Sequence, residues 1–263
     1  MNQTSAKERL LQLSAPACAP NNAIFDITRA KPNQAGIEQF NNFVQFVLHL
    51  NIRQKTTKRS LRGIALKNFL LHQWFEAGRS VSIKEIKRSV LLDAKQIDRL
   101  LAYFYRCDTY KLRGGELLPT ASYIKKIKRT LVVSESAFKT TTDDFGLRVT
   151  LPIFSVIAKF TNILMPLEGH LSGLYLRAEI ILWQSLLQQP RHCLSSQDIS
   201  ERALIPKSTL STLLESARAL DLLVQQPDPN DARVVLWRLN PQHPTFPLKE
   251  QEIIQAFFSA SPR

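Results

Sequence analysis

A constant spacing between the two halves of the chain restricts the fold more than any other feature of the sequence. At a shift of 113 residues, Ser82 falls on Ser195 and Asp108 falls on Asp221. The register holds over about 70 residues without a gap, which helix periodicity alone rarely produces. Further pairs at this shift are Leu91 with Leu204, Leu101 with Leu214, Ile86 with Ile199, Leu100 with Leu213, Phe40 with Ile153 and Val44 with Ile157. The sequence therefore predicts a duplicated domain.

In each half of the chain, the sequence pattern predicts four helices followed by a β-hairpin. Apolar residues recur with helical spacing in the segments 36–50, 61–78, 82–92 and 93–107, and again in 151–164, 174–190, 195–205 and 206–223. The first hairpin, "TYKLRGGELLPT", turns at Gly114-Gly115. The second runs through "PDPNDARVVLWRL", whose tip is seven residues longer. A short helix, a turn, a second helix and a hairpin form a winged helix-turn-helix. The predicted fold is mainly α with small β-wings, built as two tandem winged helix-turn-helix domains.

The repeat sets the predicted domain boundaries. They are an N-terminal extension at 1–35, a first winged-helix domain at 36–130, a linker at 131–148, a second winged-helix domain at 149–242 and a C-terminal helix at 243–263. That last helix is apolar at Ile253, Ile254, Phe257 and Phe258, and we expect it to pack between the two repeated units.

Positive charge is concentrated in the first half. The chain carries a net charge of +13, and residues 1–131 hold 23 Lys or Arg against 9 Asp or Glu. Such a surface favours a polyanion such as nucleic acid, although a solvated basic face gives the same count. Two basic runs, 51–63 and 123–130, allow the same two interpretations. For the second run a solvated face is favoured, because it lies at the end of a unit.

In each predicted helix-turn-helix, the start of the second helix is the part expected to contact DNA. In the second half, Leu210, Leu213 and Leu214 point inward, so the polar residues of the same turns are exposed. Hydroxyl and basic groups at a helix start can bind phosphates or read base edges. The predicted DNA-binding residues there are Lys207, Ser208, Thr209, Ser211 and Thr212.

The corresponding positions of the first half are Lys95, Gln96 and Arg99. Lys95 and Arg99 suit guanine or phosphate, and Gln96 suits adenine. Asp93 and Asp98 are unfavourable near phosphates. Asp98 would have to accept from cytosine or pair with a neighbouring basic group. Taken alone, this segment is better explained as an ordinary amphipathic core helix with a solvated face. The repeat and the wing together favour DNA contact by at least one unit.

The segment "LSSQDISERALIPKSTLSTLLESARALDLLVQQPDPNDARVVLWRLNP" resembles the MarR-type winged-helix transcriptional regulators, and the likeness extends over residues 149–242. Asp228-Pro229 and Asp231-x-Arg233 match the wing motif, whereas Ala232 stands where the family usually has arginine. The resemblance implies that Arg233 enters the minor groove and that Asp231 orients it. Residues 36–130 are similar only through the repeat and lack the acid–arginine motif. Arg113 is therefore a predicted DNA contact by position alone.

Relatives of this type are usually homodimers, so a tandem chain resembles such a dimer made in one polypeptide. The expected partner is double-stranded DNA, and the expected state is a monomeric pseudo-dimer. Each helix-turn-helix with its wing, residues 81–119 and 194–239, is here called a reading head. Some relatives bind a small-molecule effector between the helices, so the resemblance implies a possible effector near each reading head.

No catalytic constellation, metal-ligand spacing or cofactor motif appears in the sequence, which lowers the prior for an enzyme. No apolar run is long enough for a membrane span, and three widely spaced cysteines fit a reducing cytosol. We therefore expect a cytoplasmic, nucleoid-associated, non-enzymatic regulator of transcription. Two alternatives stay open: a plasmid or phage replication initiator with paired winged helices, and a protein-interaction scaffold that has lost DNA contact.

Overall fold

The computed structural model describes residues 33–52, 60–90, 92–132, 140–143, 146–149, 152–188 and 193–259. Across these residues the chain is mainly helical with small antiparallel sheets, as predicted. The helices are α1 (Gln34–Ile52), α2 (Leu61–Leu71), α3 (Ile83–Ser89), α4 (Ala94–Arg106), α5 (Ala121–Val132), α6 (Ile153–Leu164), α7 (Tyr175–Gln188), α8 (Ser196–Ala203), α9 (Lys207–Ala219) and α10 (Thr245–Ile253). The strands are β1 (Val81–Ser82), β2 (Tyr110–Arg113), β3 (Glu116–Pro119), β4 (Thr140–Asp143), β5 (Gly146–Val149), β6 (Leu194–Ser195), β7 (Leu223–Pro227) and β8 (Val235–Leu239).

Three shorter helical turns complete the described secondary structure. They are π-helical at His72–Glu76 and Ile254–Phe258 and 3₁₀-helical at Met165–Leu167. The basic residues Arg53, Lys55, Lys58 and Arg59 of the run 51–63, and most of the predicted extension 1–35, lie outside the described residues.

Contacts along the chain divide it into two compact units. Met1–Val44 with Ile163–Arg263 form one, here called the C-terminal unit, and Gln45–Asn162 form the other, called the central unit. The boundaries fall inside α1 and α6, so both helices contribute residues to both units. The predicted division at 36–130 and 149–242 follows sequence similarity instead and stays a prediction.

The central unit holds a three-stranded antiparallel sheet in the order β1-β3-β2. Tyr110 pairs with Pro119 and Arg113 with Glu116, which confirms the predicted hairpin. Gly114 and Gly115 form its two-residue turn with φ of 59° and 83°, values that glycine adopts without steric cost. Strand β1 was not predicted, because two residues are too short to show an alternating pattern.

The C-terminal unit holds a sheet of the same form, in the order β6-β8-β7. Leu223 pairs with Leu239 and Pro227 with Val235, so the hairpin was predicted correctly. Strand β8 begins at Val235, after the polar tip of the hairpin. Trp237 is buried and its indole Nε1 donates to Ser196 Oγ at 2.9 Å, which ties the wing to the start of α8.

Local hydrogen bonds recur at the shift of 113 residues. Ser82 Oγ accepts from the Glu85 amide at 3.1 Å, and Ser195 Oγ accepts from the Asp198 amide at 3.1 Å. Both serines thereby cap the N-terminus of the helix that follows. The paired serines thus have the same structural task.

The turn before each hairpin also recurs. Asp108 and Asp221 both have left-handed backbones, with φ of 49° and 59°. Their carbonyl oxygens accept hydrogen bonds from the residues that follow the hairpins, Thr120 Oγ1 at 2.6 Å and Asn240 Nδ2 at 2.8 Å. The side chain that closes each hairpin is therefore fixed in the same way in both.

Aromatic side chains fill the core of each unit. In the central unit Phe154 lies 5.5 Å from Phe46 and 5.7 Å from Phe75, measured between ring centroids. In the C-terminal unit Phe257 lies 5.3 Å from Phe40 and 5.2 Å from Phe43. The C-terminal helix therefore packs its apolar residues against the first half of α1.

Strands β4 and β5 pair with each other in a stretch that the sequence predicted to be mainly linker. Thr140 pairs with Val149 and Asp143 with Gly146 in an antiparallel ladder. Three consecutive threonines at 140–142 favour extended backbone because their branched Cβ restricts rotation. This β-propensity was overlooked in the sequence.

Candidate nucleic-acid interface

Helix α9 presents a polar face to solvent at its start. Leu210, Leu213 and Leu214 are buried, as their spacing predicted, and Ala217 is buried as well. The predicted contacts Lys207, Ser208, Ser211 and Thr212 are exposed, and Thr209 is half-buried. The structure therefore brings all five predicted residues together on one helix.

The N-terminus of α9 suits an anion. Pro206 was predicted to begin the helix, but it is the N-cap residue, one position before the first helical residue, and it supplies no side-chain cap. The first amide N–H groups of a helix lack intrahelical acceptors, and the helix dipole adds partial positive charge there. A phosphate oxygen would satisfy these donors.

The turn between α8 and α9 has a defined geometry. Leu204 adopts a left-handed backbone with φ of 54°, and Ser200 Oγ donates to the Ile205 carbonyl at 2.7 Å. On the surface beside the turn, Lys207 Nζ donates to Gln197 Oε1 at 3.4 Å. The turn fixes the start of α9 relative to α8, while the long Lys207 bond leaves its ammonium able to reach another acceptor.

The tip of the second wing is organised around the Asp231 carboxylate. Arg233 donates to it three times, from its amide at 3.1 Å and from Nε and Nη2 at 3.0 Å each. The Arg233 side chain is 90% exposed and that of Asp231 is 39% exposed. The side-chain hydrogen bond lowers the pKa of the Asp231 carboxyl and raises the pKa of the Arg233 guanidinium. The pair is therefore ionised at neutral pH and faces solvent.

Backbone hydrogen bonds close the same tip. The Asp228 amide donates to the Val234 carbonyl at 2.9 Å, and the Val234 amide donates to the Asp231 carbonyl at 2.8 Å. Asp228 Oδ1 accepts from the Asn230 amide at 2.8 Å, an Asx turn. Arg233 thus projects from an ordered loop.

In the first half, both unfavourable acids have structural partners. Asp93 is the N-cap residue of α4 and accepts from the Gln96 amide at 2.7 Å. Asp98 forms an ion pair with Lys87 of α3 at 3.0 Å. Of the two alternatives for Asp98, a cytosine contact or a neighbouring basic group, the free protein therefore shows the second. Lys95 and Arg99 are exposed on the same helix, and Gln96 is half-buried.

The first wing offers a simpler tip. Arg113 is exposed as the last residue of β2, directly across from Glu116 in the ladder. Beside it Leu112 is half exposed. This wing carries a basic residue near its turn without the acid–arginine fork of the second wing.

Sequence reasoning missed the outer face of α3. Lys84, Lys87 and Arg88 are all exposed there. The signal was present, because Ile83 and Ile86 face inward at helical spacing and leave these three residues on the opposite side. They add to the positive surface of the central unit.

Residues 185–234 match a family model described as the MarR family. The matched segment runs from the end of α7 through α8 and α9 to the wing tip, and it contains the Asp231–Arg233 fork. The match supports a MarR-type winged-helix regulator, and members of that family are regulators rather than enzymes. A search of curated proteins found no significant match to the chain.

Two further observations concern only the described part of the chain. None of its helices is long and apolar enough to cross a membrane. Within the same residues, no three His, Cys, Asp or Glu side chains cluster in a way that would hold a metal ion.

Proposed function

We propose that this protein is a sequence-specific, duplex-DNA-binding regulator of transcription that uses two non-identical winged helix-turn-helix units as a single-chain pseudo-dimer. The observation that carries the proposal is the MarR-family match at 185–234, which coincides with the exposed polar face of α9 and the Arg233 wing. In this fold class the second helix enters the major groove and the wing contacts an adjacent groove.

In the second reading head, Lys207 and the free amides of α9 bind backbone phosphate. Ser208, Thr209, Ser211 and Thr212 face base edges, which their hydroxyl groups can address as donors or acceptors. Arg233 enters the minor groove, where narrow A·T-rich segments attract arginine, and Asp231 holds its side chain in one orientation.

In the first reading head, Lys95, Gln96 and Arg99 of α4 and Arg113 of the wing contact DNA. The positive charge of residues 1–131 supports a larger share of phosphate binding for this head. The recurring sheet order and turn hydrogen bonds support a duplicated origin of the two heads. Two unlike heads in one chain favour an asymmetric operator, with half-sites about one helical turn apart, roughly 34 Å.

A regulator of this kind works by occluding a promoter or by recruitment there, and it would be found with the nucleoid in the cytoplasm. We also propose that a small-molecule effector binds near a reading head, on the ground of the MarR-family match. No residue described above identifies its chemistry.

Selection from a random duplex library, repeated at several salt concentrations, tests the proposal. The expected result is one enriched, imperfectly palindromic site whose affinity falls steeply with salt. Absence of salt-dependent binding to any duplex would support an interaction scaffold instead. Enrichment of directly repeated sites of the kind found at replication origins would favour a replication initiator.

A further inference from the structure

We infer that Asn41, Gln184 and Arg202 form a hydrogen-bonded relay that positions the second reading head for DNA without touching DNA itself. The inference rests on the proposed function and adds three positioning residues to it. All three lie in the C-terminal unit.

The relay links three helices through short side-chain hydrogen bonds. Arg202 of α8 donates from Nη2 to Gln184 Oε1 of α7 at 2.8 Å. Gln184 donates from Nε2 to Asn41 Oδ1 of α1 at 2.7 Å. Gln188, one turn further along α7, donates to the same Asn41 oxygen at 3.4 Å. The first helix of the reading head is thus joined to a helix near the start of the chain.

Burial makes the central amide of the relay directional. Gln184 is only 8% exposed. Its side-chain oxygen faces Arg202, and its side-chain nitrogen faces Asn41. An amide has an acceptor at one end and donors at the other. Turning it over would point its NH₂ group at the Arg202 guanidinium and its oxygen at the Asn41 oxygen, so both bonds would be lost together.

Arg202 depends on this acceptor because it has left bulk water in part. Burial lowers the pKa of its guanidinium, and the nearby Asp198 carboxylate opposes that effect. Removing the acceptor of a partly desolvated charged donor costs more than removing a neutral hydrogen bond at the surface. The Arg202 side chain therefore holds α8 against α7 in one orientation.

The orientation of α8 sets that of the DNA-facing helix. Arg202 lies in the last turn of α8, two residues before Leu204, whose left-handed backbone starts the turn into α9. The Ser200 bond to the Ile205 carbonyl keeps that turn tight. A change in how α8 is held is consequently passed to the start of α9.

The first reading head has no such relay at the positions paired by the repeat. A shift of 113 residues places Ser89, Leu71 and Phe154 where the second head has Arg202, Gln184 and Asn41. Phe154 packs against Phe46 and Phe75 instead. The two heads are therefore held by different means, one by directional polar bonds and the other by apolar packing.

The test uses the full chain and the duplex selected by the wild type. We expect Gln184→Met and Arg202→Met each to weaken binding about tenfold, in line with the loss of a hydrogen bond to a charged group. Asn41→Leu removes a neutral hydrogen bond and should weaken binding about fivefold. The double variant Gln184→Met/Arg202→Met should lose no more affinity than the single variant with the larger loss. Both substitutions break the same chain of bonds, so their effects should not add. Gln188→Met, which removes only the 3.4 Å bond, is the matched control and should change affinity less than about twofold.

The slope of log affinity against log salt separates positioning from contact. A residue that neutralises a phosphate lowers that slope by about 0.9 when it is removed. The relay predicts an unchanged slope for all three variants. A slope reduced by about one for Arg202→Met, or losses that add in the double variant, would overturn the relay.

Amide hydrogen exchange on the same proteins guards against variants that merely unfold. The relay predicts faster exchange confined to α8 and the start of α9, with the rest of the C-terminal unit protected as in the wild type. If Gln184→Met unfolds, Asn41→Ser at the half-exposed end of the relay gives the same readout. Normal exchange and normal affinity in Asn41→Ser would overturn the inference. A wild-type protein that selects no duplex would instead overturn the proposed function and this inference together.

Discussion

The two reading heads share a backbone plan and differ in their surfaces. Residues 81–119 carry 8 Lys or Arg against 5 Asp or Glu, whereas residues 194–239 carry 5 against 6. The serine N-caps of α3 and α8, the left-handed aspartates and the order of the strands are the same in both. Shared features are thus those that define the fold, and the differences lie where a ligand would be met. Under the proposed function, the central unit attracts the polyanion and the C-terminal unit reads it.

The tips of the two wings also combine a shared fold with different exposed residues. Two glycines close the first tip, whereas the residues from Asp228 to Val234 close the second. Because the first hairpin forms without Asp231 or Arg233, the fold does not require the ion pair. An exposed pair of this kind contributes little to stability, and under the proposed function its ordered geometry serves DNA recognition.

The largest effect should come from charge reversal in the first head. Lys95→Glu together with Arg99→Glu should weaken duplex binding by about a hundredfold at low salt and reduce the salt slope by about two, because two phosphate contacts are lost. The matched comparison reverses two charges in the second head, Lys207→Glu together with Arg233→Glu, and should lose less. Equal losses in both heads, measured by titration at three salt concentrations, would remove the proposed division of roles.

A smaller loss is expected from the second wing. Arg233→Ala should weaken binding to the selected site about tenfold while leaving the melting temperature unchanged, because the side chain is exposed and its loss opens no cavity. Arg113→Ala, at the first wing, should affect the selected site less. The comparison fails if Arg113→Ala has the larger effect on specific binding or if neither variant changes it.

The hydroxyl groups of α9 should alter preference more than affinity. Thr209→Ala with Thr212→Ala should change the bases enriched in one half-site, with only a few-fold loss on the original duplex. Repeating the library selection with this variant provides the measurement. An identical enriched site would show that these threonines do not read bases.

The last prediction concerns a buried lysine and the stability of the fold, and no effect on DNA binding is expected from it. Lys67 is 5% exposed, and burial, with a contribution from Lys126, lowers its pKa to about 7. The repeat pairs it with the apolar Ile180. Between about pH 7 and pH 10 the unfolded chain binds the proton more strongly, so the contribution of Lys67 to the free energy of unfolding rises with pH in that window.

Replacement by an apolar residue removes this contribution. The difference in free energy of unfolding between Lys67→Met and the wild type should favour the variant at pH 7 and shrink towards pH 10, as measured by urea denaturation. A difference that does not change with pH would show that Lys67 has an ordinary pKa in the folded chain.

Periodic features of the fold could be predicted from the sequence, and isolated contacts could not. Leu210, Leu213 and Leu214 revealed the buried face of α9, and Gly114-Gly115 revealed a hairpin turn, because local spacing determines both. The two-residue strands β1 and β6 depend on pairing with distant strands. The bond from Gln184 to Asn41 joins residues 143 positions apart and follows only from how the helices pack.

Footprinting of one chain on its selected duplex, with the stoichiometry measured by light scattering, tests the central claim most directly. The account predicts a monomer that protects two half-sites about one helical turn apart, with minor-groove protection by Arg233 beside only one of them. One protected half-site per chain, or symmetric protection that requires two chains, would contradict a pseudo-dimer with unequal heads.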